Sequence, residues 1–296
     1  MIKYIIVLFS TALLGLLISW LVAGRLVAPV RSDVTIPETS LPVKLFTTSS
    51  QSGASLAGWH IDANTEQGVV VLLHGVRASR TSMFQRAQML YESGYSSVLI
   101  DFQAHGESTG DRMTIGYLEK YDVLAAIEYA TTHHVNEPVA VIGMSLGGAS
   151  TLLAAPQNID ALIIESAYPD IRAAVHNRVK AKLGFLSWIP AEILLAQLKP
   201  RLGFNISELS AIENIDALNC PIFIISGSDD MHTTETETRQ IYSRANEPKQ
   251  LWIVKGAAHE DIYKKTPTQY KERVLGFLYR HMKNKPKNPN QLSADI

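Results

Sequence analysis

The sequence predicts an α/β fold, with helices on both faces of a mainly parallel sheet, preceded by one N-terminal transmembrane helix. Short apolar runs alternate with helical patterns from about residue 55 onward, which is typical of strands joined by crossover helices. Several runs are continuous in Val, Ile and Leu, as expected of strands buried on both faces. The chain of 296 residues is 46% hydrophobic, enough for one sizeable core.

The N-terminal segment Tyr4 to Gly24 contains no charged residue. As a helix it would extend roughly 32 Å, close to the hydrocarbon thickness of a bilayer. A cleaved signal peptide has a shorter apolar region, roughly 7–15 residues. We therefore expect residues 1–29 to be a retained single-pass anchor, with a cleaved signal peptide as the alternative.

The orientation of this anchor depends on a small difference in charge. Lys3 and the amino terminus lie on one side, and Arg25 and Arg31 lie on the other. Positive charge favours the cytoplasmic side, and here the two sides are nearly balanced. Our expectation is a signal anchor with the globular part outside the cytoplasm.

Composition divides the rest of the chain into three parts. Residues 30–42 contain Pro and Ser and are predicted to be a linker, residues 43–283 the α/β domain, and residues 284–296 a polar, disordered tail. Within the domain the strand–helix alternation stops between about residues 168 and 218, where helical patterns take over. We expect this segment to be an inserted helical lid.

The elements of the domain are predicted from its periodicity. The expected strands are Ser55–Ile61, Val69–His74, Ser97–Phe102, Val139–Ile142, Ala161–Glu165, Ile222–Ser226 and Gln250–Val254. The expected helices outside the lid are Thr81–Ser93, Tyr117–Thr132, Leu146–Ala155, Thr234–Arg244 and Thr268–Met282.

Ser145 is the candidate nucleophile. It lies in the run Gly143 to Gly148, between the apolar run Val139–Ile142 and small and apolar residues that continue to Ala155. A serine at a sharp turn from a buried strand into a helix is the setting of a nucleophile elbow. A second G-x-S-x-G match at Gly106–Gly110 lies beyond a strand and precedes charged residues, so its Ser108 is predicted to be a loop residue.

A serine hydroxyl becomes a useful nucleophile only when an imidazole takes its proton and a carboxylate orients that imidazole. In doubly wound hydrolases these partners lie in loops at the carboxyl ends of later strands. Asp230 follows the strand Ile222–Ser226, and His259 follows the strand Gln250–Val254. We therefore predict Asp230 as the acid and His259 as the general base.

The assignments of the acid and of the base both have alternatives. Asp229 or Glu165 could supply the carboxylate, and Asp229 and Asp230 could both simply cap the helix that begins near Thr234. His259 could serve only loop hydrogen bonding. His232 could also approach the site, but it follows the acid closely and precedes a predicted helix cap, so we predict it to be a loop residue.

The negative oxygen of a tetrahedral intermediate needs two backbone donors. The residue after the nucleophile supplies one, and the loop after an early strand supplies the other. The predicted donors are the N–H groups of Leu146 and Val76.

Two surfaces of the lid are open to more than one interpretation. The cations Arg172, Arg178, Lys180 and Lys182 form either a solvated basic face or a contact for anionic lipid headgroups or an acidic substrate. The apolar residues Phe185, Trp188, Ile189, Leu194 and Leu195 either pack in the ordinary way or form an acyl-binding or membrane-facing wall.

Composition also argues against several classes of function. The formal net charge is −1, and no dense cluster of Lys and Arg is present, so nucleic acid is not an expected partner. Cys220 is the single cysteine, which excludes an intrachain disulfide and a cysteine-based zinc site. The histidines show no His-Glu-x-x-His spacing, and no metal or cofactor is implied.

Five motifs in this order resemble the α/β-hydrolase superfamily. They are His74-Gly75, Asp101 to Ser108, Gly143 to Gly148, Gly227-x-x-Asp230 and Gly256-Ala257-x-His259. The resemblance covers roughly residues 45 to 280 and is to lidded serine hydrolases related to the prolyl-oligopeptidase catalytic domain and to membrane-anchored lipase-like proteins. Two departures are Gln103-Ala104, where relatives often carry Arg-Gly, and the absence of a Gly-Gly-Gly oxyanion motif.

The resemblance implies the same catalytic residues: Ser145 as nucleophile, Asp230 as acid, His259 as base, and Leu146 and Val76 as oxyanion donors. It further implies cleavage of an ester, thioester or amide through an acyl-enzyme, with a carboxylic ester favoured. A peptidase-like hydrolase is one alternative, and an inactive binding protein of this fold at the membrane is another. The expected substrate is a small acyl compound, a lipid or a peptide.

Overall fold

The computed structural model describes residues 1–65 and 67–282. The predicted tail at residues 284–296 lies outside the described residues. The strands are β1 (Val30–Arg31), β2 (Val43–Ser49), β3 (Ser55–Ile61), β4 (Val69–Leu73), β5 (Ser96–Ile100), β6 (His105–Gly106), β7 (Val139–Met144), β8 (Ala161–Glu165), β9 (Ile222–Gly227) and β10 (Lys249–Val254).

The helices alternate with these strands. The α-helices are α1 (Ile2–Val27), α2 (Phe84–Glu92), α3 (Glu119–His133), α4 (Leu146–Ala154), α5 (Ile171–Leu183), α6 (Trp188–Ala196), α7 (Leu198–Leu202), α8 (Glu235–Arg244), α9 (Ile262–Lys265) and α10 (Pro267–His281). Short 3-10 helices cover Arg80–Met83, Gly184–Leu186, Ile206–Leu209 and Ala211–Ala217.

An eight-stranded sheet has the order β10-β9-β8-β7-β4-β5-β3-β2. Neighbouring strands from β10 to β5 are parallel, and β3 is antiparallel to both β2 and β5. The mainly parallel α/β sheet predicted from the sequence is therefore confirmed. Its order brings the carboxyl ends of β4, β7, β9 and β10 to one edge, where ligands bind in open α/β sheets.

Both faces of the sheet are buried, which explains the continuous apolar runs. In β4, Val69, Val71 and Leu73 pack into the core on one side, and Val70 and Leu72 pack into the core on the other. All of these side chains are fully buried. Each parallel strand thus contributes to two layers of packing, as expected of a strand covered by helices on both faces.

Two pairings were not predicted. The edge strand β2 alternates between half-buried and exposed residues and contains Lys44, so it lacks the apolar run that marks the inner strands. The short strand β1 pairs in parallel with β6, and the N–H of Val30 donates to the carbonyl of Ala104 at 2.8 Å. The predicted linker therefore begins with an ordered strand.

The segment between β8 and β9 contains α5, α6, α7 and three of the 3-10 helices, in agreement with the helical patterns in the sequence. We call residues 168–218 the helical insertion. The N-terminal α1 packs on its α6.

Helix α1 is long and apolar enough to cross a membrane, with a mean hydropathy of 2.5 over 18 residues, and it lies near the N-terminus, as a signal sequence also would. Its second half is attached to the helical insertion. The amide of Gln197 donates to Ser19 Oγ at 2.8 Å, and the Arg201 guanidinium donates to the carbonyl of Trp20 at 2.6 Å. The same guanidinium stacks 3.9 Å from the centre of the Trp20 ring.

A buried ionic cluster joins the sheet to the helices beside it. The fully buried guanidinium of Arg86 on α2 donates to Glu165 at the end of β8 at 2.6 Å and to Asp261 at 2.8 Å. The Tyr270 hydroxyl of α10 also donates to Glu165. Burial would lower the pKa of Arg86, but Glu165 and its neighbours raise the pKa well above the usual value. Glu165, a sequence alternative for the catalytic acid, is thus engaged in an ion pair.

Replacing Glu165 with Gln should destabilise the fold. Removing one charge of a buried pair costs about 3 kcal/mol or more, because the remaining charge stays out of water. The matched control is Glu213→Gln, which breaks the surface pair with Arg244 and should cost no more than about 1 kcal/mol. The measurement is the free energy of unfolding by denaturant in detergent micelles. Equal losses in the two variants would contradict the structural role of the cluster.

Candidate active site

Ser145 lies between β7 and α4 with a φ of 51° and a ψ of −107°, an uncommon backbone conformation for a residue with a Cβ. Two glycines permit this turn. A Cβ on Gly143 would lie 2.6 Å from the Gly147 backbone, and a Cβ on Gly147 would lie 2.5 Å from the Leu73 carbonyl oxygen. The close approach of strand and helix thus requires glycine at both positions, as the nucleophile-elbow interpretation predicts.

Asp230 and His259 are brought into contact by the loops after β9 and β10. His259 Nδ1 lies 2.8 Å from Asp230 Oδ2. The Thr233 hydroxyl donates to the same oxygen at 2.7 Å, and the N–H groups of His232 and Thr233 donate to Oδ1 at 2.8 Å. The carboxylate accepts all of these bonds, so the Asp230 side chain is held in one orientation.

The charge on Asp230 is stabilised in the fold. Burial would raise its pKa, but the hydrogen bonds from His259 and Thr233 outweigh this effect and lower the pKa to about 2. An ionised Asp230 accepts a hydrogen bond from the N–H at His259 Nδ1, and in the neutral imidazole this leaves Nε2 as the acceptor nitrogen. This is the tautomer that a general base needs.

These contacts do not support Asp229 as the carboxylate partner of His259, nor the capping of a helix by Asp229 or Asp230. Asp229 is exposed and accepts from the Ser228 hydroxyl at 2.7 Å. The cap of α8 is Thr234, whose side chain accepts from the N–H of Glu237. Neither aspartate caps the helix.

Ser145 Oγ does not join this pair directly. The hydroxyl is buried and makes no hydrogen bond with any described residue. The structure therefore brings Asp230 and His259 into contact and does not link Ser145 to them by a hydrogen bond. Catalytic hydrogen bonds are often long in the free form of an enzyme and shorten when substrate binds.

The turn after β4 lies against Ser145. A Cβ on Gly75 would be 3.6 Å from the Cβ of Ser145. The next residue, Val76, donates its N–H to no acceptor among the described residues. Leu146 opens α4, so its N–H has no partner within the helix, and a helix N-terminus favours negative charge.

The His74 ring is hydrogen-bonded to this turn and to the N–H of Phe102. The ring is fully buried, and Nε2 lies 3.1 Å from the N–H of Phe102 and Nδ1 2.7 Å from the carbonyl of Gly75. Burial and the neighbouring His105 lower the pKa of His74 to about 3. The ring is therefore neutral, accepting at one nitrogen and donating at the other.

Ser108, in the second G-x-S-x-G match, lies in a loop as predicted. Its hydroxyl donates to the carbonyl of Asp101 at 2.6 Å and accepts from the N–H of Ala57 at 2.9 Å. Both bonding roles of this buried side chain are occupied by backbone groups. Ser108 ties the loop to β3.

One residue of the site, Thr233, was missed by the sequence analysis. Thr233 donates to the Asp230 carboxylate from a position three residues further along the chain, which is the spacing of a local side-chain turn, and this spacing could have identified it. His232, predicted to be a loop residue, places its ring 5.0 Å from that of His259. Burial, Arg178 and His259 lower the pKa of His232.

The basic face of the helical insertion is not uniform. Arg172 pairs with Glu192 at 2.5 Å, whereas Lys180 and Lys182 are exposed. Arg178 is largely buried, and its pKa is lowered by that burial. Arg178 is only partly exposed, so a fully solvated face does not describe it.

The apolar residues of the helical insertion also divide into two groups. Phe185, Trp188 and Ile189 are exposed, by 93%, 66% and 63%, so ordinary packing does not describe them. Leu195 is buried, and Leu194 lines a cavity.

This cavity of about 280 Å³ lies between the helical insertion, the end of α1 and the turn after β4. We call it the apolar cavity. Its lining residues are Ala23, Leu26, Val27, Val76, Arg77, Ile115, Tyr168, Ile171, Ala174, Val175, Arg178, Val179, Leu194, Gln197, Leu198 and Arg201. Val76, one of the two predicted oxyanion donors, is among them.

Comparison with known proteins agrees with this architecture. Residues 64–211, half of the chain, match the family described as serine aminopeptidase S33. The chain is 25% identical over 240 residues to an uncharacterised protein, YqkD of Bacillus subtilis, covering 79% of this chain and 78% of YqkD. It is 26% identical over 259 residues to caffeoylshikimate esterase of Arabidopsis thaliana, covering 71% and 75% respectively.

Solved structures show the same fold. The esterase Pf2001 of Pyrococcus furiosus superposes with a TM-score of 0.70 at 25% identity, covering 87% of this chain and 99% of that esterase. The fold and the comparisons together define an esterase-like hydrolase of the α/β-hydrolase superfamily. Within that superfamily, the chain belongs to the serine aminopeptidase S33 family.

The lowered pKa of Asp230 should make stability depend on pH. The carboxyl has a pKa of about 2 in the fold, against 3.8 as its ordinary value. The ionised carboxylate therefore contributes roughly 2 kcal/mol to the free energy of unfolding. This contribution is complete above about pH 4 and is lost as the pH falls through about 2. The difference in unfolding free energy between wild type and Asp230→Asn should narrow by that amount between pH 6 and pH 2. Asp229→Asn, at the exposed neighbour, is the control, and equal narrowing there would contradict the assignment.

Proposed function

We propose that this protein is a serine hydrolase that cleaves a carboxylic ester through an acyl-enzyme. Ser145 is the nucleophile, His259 the general base and Asp230 the acid, and the N–H groups of Val76 and Leu146 form the oxyanion hole. The observation that carries the proposal is the hydrogen bond between Asp230 and His259 at the sheet edge that also presents the strained Ser145.

The mechanism follows from this arrangement. Ser145 Oγ attacks the carbonyl carbon of the ester while His259 Nε2 takes its proton, and the ionised Asp230 stabilises the resulting imidazolium. The two N–H groups stabilise the negative oxygen of the tetrahedral intermediate; losing one such donor typically costs about 3 kcal/mol of barrier. The intermediate collapses, His259 gives its proton to the leaving alcohol, and an acyl-enzyme remains.

The second half of the reaction uses the same groups. Water attacks the acyl carbon, His259 accepts one proton of that water, and the bond to Ser145 Oγ breaks as His259 returns a proton to it. The free acid leaves and the serine is restored. In this scheme the unpartnered Ser145 hydroxyl becomes hydrogen-bonded to His259 when the substrate is bound.

An ester is favoured over a peptide by the surroundings of the site. The apolar cavity beside Val76 is lined mainly by aliphatic side chains, which suit an acyl chain; a peptide backbone would need hydrogen-bonding partners. Relatives named as esterases give the same preference. The description of the family as serine aminopeptidases supports a peptidase-like hydrolase as the second candidate.

Reaction with a fluorophosphonate probe should label wild type and fail completely in Ser145→Ala, because only the activated serine attacks phosphorus. Ser108→Ala is the matched control, since it removes the serine of the other G-x-S-x-G match. This variant should still be labelled, and circular dichroism should establish that both variants are folded. A folded wild type that resists the probe would overturn the proposal.

Turnover separates the candidate functions. The proposed esterase should hydrolyse p-nitrophenyl acyl esters faster than aminoacyl p-nitroanilides, with both activities lost in Ser145→Ala. Preference for the anilides would support the peptidase instead. A folded protein that neither reacts with the fluorophosphonate nor turns over either substrate class would point to an inactive binding protein of this fold.

We further propose that α1 is a retained anchor and that the hydrolase domain lies outside the cytoplasm. The hydrogen bonds from Gln197 and Arg201 to α1 support retention, because a segment destined for cleavage gains nothing from specific contacts with the mature domain.

Protease added to intact spheroplasts should digest the domain, and permeabilised spheroplasts should give the same digestion pattern. Protection that is lost only on permeabilisation would place the domain in the cytoplasm. A mature protein that begins after residue 29 by N-terminal sequencing would contradict the retained anchor.

A further inference from the structure

We propose that the anchor helix is part of the substrate site: its last turns form one wall of the acyl pocket and limit the acyl chain to about ten carbons. This inference rests on the proposed ester hydrolysis and on a retained α1. It assigns to Ala23, Leu26 and Val27 a role in specificity in addition to membrane attachment.

The position of the apolar cavity is the first argument. Val76 belongs both to the cavity lining and to the turn whose backbone lies against Ser145. A carbonyl oxygen held by the Val76 N–H would therefore place the acyl carbons that follow it at the mouth of the cavity. Ala23, Leu26 and Val27 line the same cavity, so the chain would extend toward α1.

The chemistry of the wall is the second argument. Polar side chains of the lining bond to the surrounding protein: Gln197 to Ser19 and Ile193, Arg201 to Trp20, Arg77 to Arg25, and Arg178 to Ala174. Two of their buried atoms, Gln197 Oε1 and Arg201 Nε, have no partner among the described residues. The remaining surface is aliphatic or aromatic. Such a mainly apolar pocket gains free energy by taking up an apolar chain.

The size of the cavity gives the third argument. An apolar cavity of about 150 Å³ accommodates the six carbons of benzene, so a volume of about 280 Å³ corresponds to roughly eleven carbons. This is room for one medium-length acyl chain and not for two. A short acyl group would leave most of the cavity empty.

The attachment of α1 is the fourth argument. Beyond the bonds from Gln197 and Arg201, the N–H of Met113 donates to the carbonyl of Val27 at 2.9 Å. These contacts hold the end of α1 on both sides of Leu26. The wall is therefore fixed to the domain, and it can set the greatest length of acyl chain that the pocket accepts.

The test measures kcat/KM for p-nitrophenyl esters of acetate, butyrate, decanoate and palmitate, with the full chain in proteoliposomes. Wild type should prefer decanoate over both acetate and palmitate. Leu26→Trp should lower the ratio of decanoate to acetate at least tenfold, because the indole fills the end of the pocket. Leu21→Trp is the matched control: both leucines are partly exposed on the same helix, Leu21 by 64% and Leu26 by 49%, but only Leu26 lines the cavity. The ratio of Leu21→Trp should equal that of wild type.

A second variant at the same position keeps the test decisive if Leu26→Trp does not fold. Leu26→Ala enlarges the cavity and should shift the preferred chain beyond decanoate. Unchanged chain-length ratios in both Leu26 variants, with esters still hydrolysed, would overturn the role of the anchor and leave the ester hydrolase intact. Failure of wild type to hydrolyse any ester or to react with the fluorophosphonate would instead overturn the proposed function itself.

A second arm of the experiment distinguishes a soluble ester from a membrane lipid as the source of the acyl chain. The same wild-type protein is given decanoyl ester either as soluble monomer or as a decanoyl lipid within the vesicle membrane. Hydrolysis of both, with the same Leu26→Trp defect, would assign the pocket to the acyl chain itself. A defect confined to the membrane-borne lipid would mean that Leu26 acts on access from the bilayer, and it would overturn the pocket assignment.

Discussion

The active-site region depends on the close approach of β7, β4 and α4. Gly147 allows the first turn of α4 to lie against the carbonyl of Leu73, where a Cβ would be only 2.5 Å away. This contact fixes where α4 starts, and therefore where Ser145 and the N–H of Leu146 lie. The same packing brings the turn at Gly75 against Ser145. One steric constraint in the backbone thus positions both the candidate nucleophile and the candidate oxyanion donors.

The inner part of the fold was predictable from the sequence because its signals are local. The strands β4, β7, β8 and β9 are buried on both faces, so each appears as an apolar run, and the sheet order brings their following loops together. The edge strand β2 was missed because it is only half-buried and contains Lys44. The pairing of β1 with β6 could not be predicted, because two residues carry no periodicity and their partner lies about 75 residues further along the chain.

In the candidate site too, features with local sequence signals were predictable and features that depend on long-range packing were not. Asp230 and His259 were proposed from their positions after strands, and the structure brings them to 2.8 Å; their catalytic roles remain a prediction. The burial of Arg178 and the contribution of α1 to a cavity could not be read from the sequence. Both depend on how the helical insertion packs on distant segments, and helical periodicity does not specify the partner of a face.

The backbone at Ser145 has a further consequence for the evolution of this chain. A φ of 51° suits a residue without a Cβ, so glycine would relieve the conformational cost at this position, of order 1 kcal/mol. Glycine would also remove the hydroxyl that the turn carries. Folding and chemistry therefore favour different residues here, and retaining serine makes the protein less stable than its backbone would allow.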